Sequence, residues 1–224
     1  MVIFGDCASI GDIERLSADE RIMGITTNPS LMKAAGVTNY RAFAKTVLGI
    51  IGDRDVSFEV LADDELEMER QAREIASWGE NIYVKIPITY TNGGTTEPLM
   101  RKLDAADVKM NITALFTTKQ IMDAIFTLRD KDHILSVFAG RISDTGKKGR
   151  AYVWHARRQR KSNHRVLWAS ARQIYDFYEA ELSADIITLT PSLIDKLALR
   201  DKSLKAYSLE TVRQFHRDGR GIEF

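Results

Sequence analysis

Short apolar runs rich in β-branched residues recur along the chain, and stretches with helical spacing separate them. Residues 2–4, 22–26, 56–61, 82–88, 108–113, 134–138, 166–169 and 186–189 read as eight strands. A short helix through Ile13 and Leu16 follows the first. Residues 40–51 put Phe43, Val47 and Ile50 or Ile51 on one face, and residues 63–78 start acidic, as a helix N-terminus favours. Further helices are predicted over 99–103, 117–128, 172–182, 191–199 and 203–216, with a long basic helix over 143–161 interrupted near Gly146 and Gly149. Asn28 or Ser30 is placed to cap the helix entered at Pro29, and Gly36 to end it. Thr95 or Thr96 caps the helix that begins near Leu99.

Eight strands alternating with helices imply a parallel α/β fold. Eight units point to a (β/α)8 TIM barrel, with a doubly wound open sheet as the competing architecture. No linker, repeat or low-complexity segment interrupts the pattern, so residues 1–224 are expected to form a single domain with an extra C-terminal helix over 203–216. That helix carries a partial apolar stripe of Leu204, Tyr207, Leu209, Val212 and Phe215, which has to be covered by something.

Composition changes this picture little. A formal net charge of +1 gives no global attraction to nucleic acid or to an anionic membrane, and neither is expected as a partner. A lone cysteine, Cys7, rules out an intramolecular disulfide framework and is expected to be a small buried residue. No apolar run reaches the roughly 18 residues of a membrane span, and the N-terminus shows no signal-peptide pattern, so a cytoplasmic protein is expected. No glycine-rich dinucleotide fingerprint follows any strand, which argues against a nicotinamide or flavin cofactor. His133, His155, His164 and His216 lack ligand spacing, so no metal is assigned. The basic stretch from Lys147 to Lys161 reads as a solvated helix face, with attraction of sugar phosphates as the sharper alternative.

One residue breaks the strand pattern. Lys85 sits in Ile82-Tyr83-Val84-Lys85-Ile86-Pro87-Ile88, where every other side chain suits burial. An unpaired buried ammonium costs several kcal/mol. A desolvated lysine can instead give up its proton and act as a nucleophile toward carbonyl carbon. The bland alternative is a covered stem with a head that snorkels to water. The other out-of-place polar residues are Asp6, Thr27, Asn28, Glu59, Asn111, Thr113, Ser136, Ser170 and Arg172, and all lie in strands or just past their ends. In a parallel barrel those ends form one face, which carries the active site. Glu59, on the adjacent strand, suits a proton shuttle for imine chemistry, with Thr113 sharing a catalytic water. Asp6 suits acceptance and return of a hydroxyl proton. Asn28 and Asn111 can hold substrate hydroxyls without adding charge. Arg141 and Arg172 suit phosphate, and Ser170, read as the start of a helix, adds a hydroxyl near free N–H groups.

These residues resemble the transaldolase family. The matching stretches are Gly24-Ile25-Thr26-Thr27-Asn28-Pro29-Ser30-Leu31, Ser57-Phe58-Glu59-Val60, Val84-Lys85-Ile86-Pro87, Asn111-Ile112-Thr113-Ala114-Leu115-Phe116, Ser136-Val137-Phe138-Ala139-Gly140-Arg141-Ile142 and Ala169-Ser170-Ala171-Arg172. They span most of the barrel in the family's order. The resemblance implies a class I aldolase barrel that transfers dihydroxyacetone between ketose and aldose phosphates through a Schiff base, without metal or organic cofactor. It implies Lys85, Glu59, Asp6 and Thr113 as catalytic residues. Thr27, Asn28, Asn111, Ser136, Phe138, Arg141, Ser170 and Arg172 would bind substrate. The length is similar to that of the short branch, which includes fructose 6-phosphate aldolases and forms pentamers and decamers, with a C-terminal helix packing on the neighbour. Those aldolases carry glutamine at the Glu59 position and tyrosine at the Phe138 position, so this chain makes the transaldolase-like choice at both. Departures from the family pattern are Ala171, the Gly5-Asp6-Cys7-Ala8-Ser9 strand end and the longer loop at residues 90–97. An aldolase, a specialised transaldolase-like enzyme of sugar biosynthesis and a non-catalytic phosphosugar-binding barrel stand as alternatives.

Overall fold

The computed structural model describes residues 1–223. Eight strands alternate with helices: β1 (Val2–Asp6), α1 (Ile10–Ser17), β2 (Ile22–Thr26), α2 (Pro29–Ala34), α3 (Tyr40–Ile51), β3 (Asp55–Glu59), α4 (Glu65–Ala76), β4 (Ile82–Pro87) and α5 (Glu97–Ala105). There follow β5 (Met110–Leu115), α6 (Thr118–Thr127), β6 (His133–Val137), α7 (Ala139–Asp144), α8 (Gly149–Gln159), β7 (His164–Trp168), α9 (Tyr175–Glu181), β8 (Ile186–Leu189), α10 (Pro191–Asp195) and α11 (Leu204–Asp218). All neighbouring strands are parallel, and β8 pairs with β1 to close the barrel in sequence order. This is the (β/α)8 barrel; the open sheet is excluded by the β1–β8 closure.

The alternation of side chains along each strand sorts the barrel interior into layers. At the N-terminal end of the strands, Arg165 pairs with Asp55 at 2.8 Å and Asp132 at 3.2 Å and lies over the Tyr83 ring. The Tyr83 hydroxyl donates to Asp132. A middle layer packs Phe4, Ile134, Leu167 and Ile186. Gly24 faces Phe4, and a Cβ there would come within 2.7 Å of the phenyl ring, so glycine leaves room for the large residue opposite. Above that layer the inward positions are mostly polar, and the functional chemistry collects there.

Several boundaries differ from the sequence reading. Strand β5 begins at Met110, not Val108, because Asp107 turns the backbone through a left-handed φ of 59°. The basic helix is two helices, α7 and α8, parted at Gly146 with φ 81°. Its cations are only partly a solvated face: Arg157 and Arg160 pair with Asp185, and Arg150 with Glu179. Helix α9 starts at Tyr175, not Arg172, because the Asp176 carboxylate takes the backbone N–H groups of Arg172 and Gln173. Asn28 is the cap of α2, accepting from Leu31 N at 3.0 Å. Thr96 stands at the N-cap of α5, but its hydroxyl donates to the Pro87 carbonyl instead of capping.

The chain divides into two compact units, residues 1–194 and the segment from Asp195 onward. The barrel belongs to the first. The second holds the 3-10 turn Lys196–Leu199 and α11, which buries none of its residues. No helix among the described residues is long and apolar enough to cross a membrane.

Candidate active site

Strand register assembles the site. Glu59 on β3 and Asn111 on β5 flank Lys85 on β4, and Asp6 on β1 stands opposite Thr26 on β2. Two residues above Tyr83 on the same strand, Lys85 must also point inward. Its side chain is 8% exposed, so this lysine does not snorkel out. Nζ lies 3.0 Å from Glu59 Oε2 and donates to the Thr27 carbonyl at 2.7 Å. The strand supplies no counter-charge, but its neighbour does. Glu59 is held in turn by the Tyr40 hydroxyl, which donates to the Glu59 carbonyl at 2.9 Å and packs edge-on against Phe58.

Around this pair lies a cavity of about 500 Å³, open at the C-terminal ends of the strands. Burial pushes the Asp6 carboxyl above the usual carboxylate range, against the opposing pull of the Lys85 ammonium and of the Thr26 hydroxyl, which donates at 2.9 Å. The negative charge of Glu59 adds to the upward push. Asn111 is locked from both ends: Ser136 Oγ donates to its Oδ1 at 2.6 Å, and its Nδ2 donates to Ser57 Oγ at 3.0 Å. One amide hydrogen is left without a protein acceptor among these bonds. Asn28 spends Oδ1 on its helix cap and keeps its NH2 group for the cavity. Thr113 Oγ1 is buried in the same wall without a protein partner, so its hydroxyl is available to a bound molecule.

The rim is cationic. Arg141 lies over the Phe138 ring at 5.5 Å. Arg172 is half exposed and paired with Asp144 at 2.7 Å. Ser170 sits on the loop between them with a left-handed φ of 62°. That loop presses on Gly140, where a Cβ would lie 1.7 Å from the Ser170 carbonyl oxygen. Glycine at position 140 thus lets the loops after β6 and β7 approach each other closely.

Most of the predicted site residues line this one cavity. Thr27 takes part by its backbone instead. Its hydroxyl turns toward the Ser57 carbonyl at 3.4 Å, while its own carbonyl meets Lys85. Ser170 does not begin a helix, because α9 starts five residues later, so helix N–H groups are not offered beside it. Sequence reasoning missed Tyr40, Ser57, Thr188 and Asp144. They act through partners distant in the chain, and only Ser57, the first residue of the matched stretch Ser57-Phe58-Glu59-Val60, carried a local signal.

Outside the cavity, the Cys7 thiol is pushed up to about 12 by burial, with Asp12 and Asp6 adding to the effect, which leaves it inert as a nucleophile. His133 is also buried and held below its ordinary value by desolvation. Its Nδ1 accepts from Met110 N–H, and Nε2 faces Asp104 at 3.0 Å, a structural tie between α5 and β5–β6. No cluster of three metal-ligating side chains occurs among the described residues. A crevice of about 690 Å³ on the barrel's outer side, between α8 and α9, contains none of the predicted site residues.

Comparison with known proteins bears on this arrangement. Residues 3–223 match the family model described as transaldolase/fructose-6-phosphate aldolase. A probable transaldolase of Maridesulfovibrio salexigens is 30% identical over 217 residues, covering 94% of this chain and 97% of the relative. One from Dehalococcoides mccartyi is 34% identical over 149 residues, 66% of each chain. Probable transaldolase 2 of Listeria monocytogenes is 30% identical across 92% of this chain and 94% of its own. Among solved structures, KGPDC from Streptococcus mutans superposes with a TM-score of 0.55 at 9% identity, covering 84% of this chain and 86% of that one. Ligand-free tryptophan synthase of M. tuberculosis superposes with 0.59 at 10%, covering 88% and 85%. At that identity the structural likeness is one of fold.

Proposed function

Because the chain belongs to the transaldolase/fructose-6-phosphate aldolase family, we propose that it transfers a dihydroxyacetone unit from a ketose phosphate to an aldose phosphate through a Schiff base on Lys85. The observation that carries this reading is the buried Lys85 amine 3.0 Å from a carboxylate, on the floor of an open polar cavity. Imine chemistry needs such a pair. A proton passes from Nζ to Glu59, the free amine attacks the ketone carbon, and Glu59 returns the proton as the carbinolamine loses water. Asp6 then takes the proton of the C4 hydroxyl. The C3–C4 bond breaks, its electron pair moves into the enamine on Lys85, and the aldose phosphate leaves. An acceptor aldehyde reverses these steps, and Asp6 returns its proton to the new hydroxyl. A silent binding barrel would have no use for a buried amine paired in this way.

Transfer and simple cleavage differ in the fate of the three-carbon enamine. Release requires water to attack the imine, and a transferase keeps that slow until an aldehyde arrives. Phe138 puts a ring without a hydroxyl on the cavity wall, in contact with Phe116 at 5.5 Å between centroids. Wild-type protein is therefore expected to transfer dihydroxyacetone faster than it releases it. Phe138→Tyr should raise release relative to transfer by roughly tenfold, the effect of one hydrogen bond of about 1.4 kcal/mol in the hydrolytic transition state. Free dihydroxyacetone measured with and without acceptor, for both proteins, decides the matter. Wild-type release as fast as transfer would replace this reading by the aldolase one.

The rim cations support phosphate as the handle of both substrates. Arg172→Ala should raise KM for phosphorylated substrates about tenfold and leave unphosphorylated fructose or dihydroxyacetone nearly unchanged. Equal losses for both kinds would refute the assignment. Helix α11 supports assembly as a homo-oligomer. Leu204, Leu209, Val212 and Phe215 are exposed on it, Leu204 at 84% and Phe215 at 68%, and a second copy would cover them. Deleting the residues after Lys202 should lower the assembly state in sedimentation; an unchanged oligomer would contradict this.

A further inference from the structure

We propose that Thr188 and Thr26 form a directed hydroxyl relay that keeps the Asp6 carboxylate ionised and aimed, with Thr188 a positioning residue that acts through Thr26. The inference rests on the role given to Asp6 above and deepens it.

Asp6 lies on β1, between β2 and β8. Thr26 faces it in register from β2, and Thr188 stands opposite Phe4 on β8, one inward position lower. Thr26 Oγ1 is 2.9 Å from Asp6 Oδ1 and 2.6 Å from Thr188 Oγ1. Both threonines are buried, at 3% and 5% exposure, on the wall of the cavity. Charge fixes the direction. An ionised carboxylate can only accept, so the single Thr26 proton goes to Asp6. The short contact to Thr188 is then a bond only if Thr188 donates to Thr26. Each bond polarises the next, and the chain ends on the carboxylate.

The surroundings of Asp6 explain why neutral hydroxyls suit this task. Lys85 from β4 favours its charge, whereas Glu59 from β3 and burial oppose it. Just past the end of its strand comes Cys7, whose thiol feels the negative charges of Asp12 of α1 and of Asp6 itself. A second cation beside Asp6 would offset Glu59, but it would also repel the iminium that the reaction forms on Lys85. Two aligned hydroxyls stabilise the carboxylate without that penalty. Packing alone does not call for the hydroxyl at position 188, since valine has the same shape and fills a barrel strand as well.

The test uses the full-length protein without substrate. Carbon-13 label at aspartate carboxyls, with the Asp6 signal assigned by its absence in Asp6→Asn, gives the Asp6 titration directly. Thr188→Val should shift it upward by about half a pH unit, and Thr26→Val by about one unit or more. Thr188→Ser should restore the wild-type value, and Thr188→Ala should repeat the valine shift if the valine variant folds poorly. An Asp6 titration unmoved in folded Thr188→Val or Thr188→Ala overturns the relay, whatever reaction the protein performs. In turnover, the acid limb of the cleavage rate should move with the Asp6 titration, while borohydride trapping on Lys85 stays at the wild-type yield. If the titration moves but no ketose phosphate is cleaved, the relay holds and the proposed function fails.

Discussion

Lys85→Ala should lower turnover of ketose phosphates by at least about a thousandfold, the usual scale for losing the residue that forms the covalent intermediate. No other lysine lines the cavity among the described residues, so no neighbour can take over as nucleophile. The same substitution should also destabilise the protein. Glu59 has only 15% of its side chain exposed, and without the ammonium it is a nearly buried carboxylate that has lost its cation. Breaking such a pair costs about 3–5 kcal/mol. Lys85→Arg separates the two effects. A guanidinium keeps the charge opposite Glu59 but does not condense with ketones. It should preserve most of the melting temperature while abolishing turnover. If Lys85→Arg retained more than a few per cent of wild-type activity, covalent catalysis by this residue would be excluded.

Asp6→Asn should lower cleavage by roughly 10²–10⁴-fold, the range for a general base placed on the reacting hydroxyl. Imine formation depends on Lys85 and Glu59 and should continue. Borohydride should therefore trap the intact ketose on the Asp6→Asn variant, where the wild type yields the three-carbon unit. The pH dependence carries a second sign. Asp6 must be ionised to accept the proton, and burial holds its carboxyl above the usual carboxylate range. Wild-type cleavage should therefore fall, as pH is lowered, at a higher pH than an exposed aspartate would set. Loss of the three-carbon adduct without accumulation of the ketose adduct would show that Asp6 acts before the imine forms.

How much of this was legible in the sequence depends on whether a feature is local. Each strand is a short apolar run, and closure in sequence order follows from eight right-handed β–α units, so the barrel could be read without coordinates. Lys85 was visible because a cation interrupts a run in which every other side chain suits burial. Its partner was not deducible from that run, because the Lys85–Glu59 contact depends on the register of β3 against β4. Boundaries slipped where one side chain overrules the local pattern. Asp176 captures two N–H groups and delays α9, and Asp107 turns the chain before β5. Thr27 was read as a substrate contact because it sits inside a matched motif, yet its hydroxyl turns to the β3 backbone and its carbonyl reaches the lysine. Tyr40, Asp144 and Thr188 gave no signal, since their partners lie 19, 28 and 162 positions away and only folding brings them near.

The central claim is that Lys85 forms the Schiff base, and the most direct measurement is the site of its trapped adduct. The protein is incubated with fructose 6-phosphate, reduced with borohydride, digested and mapped by mass spectrometry. The account predicts a reduced three-carbon adduct on the peptide that contains Lys85. An adduct on a different lysine, or none with any ketose phosphate, would contradict it.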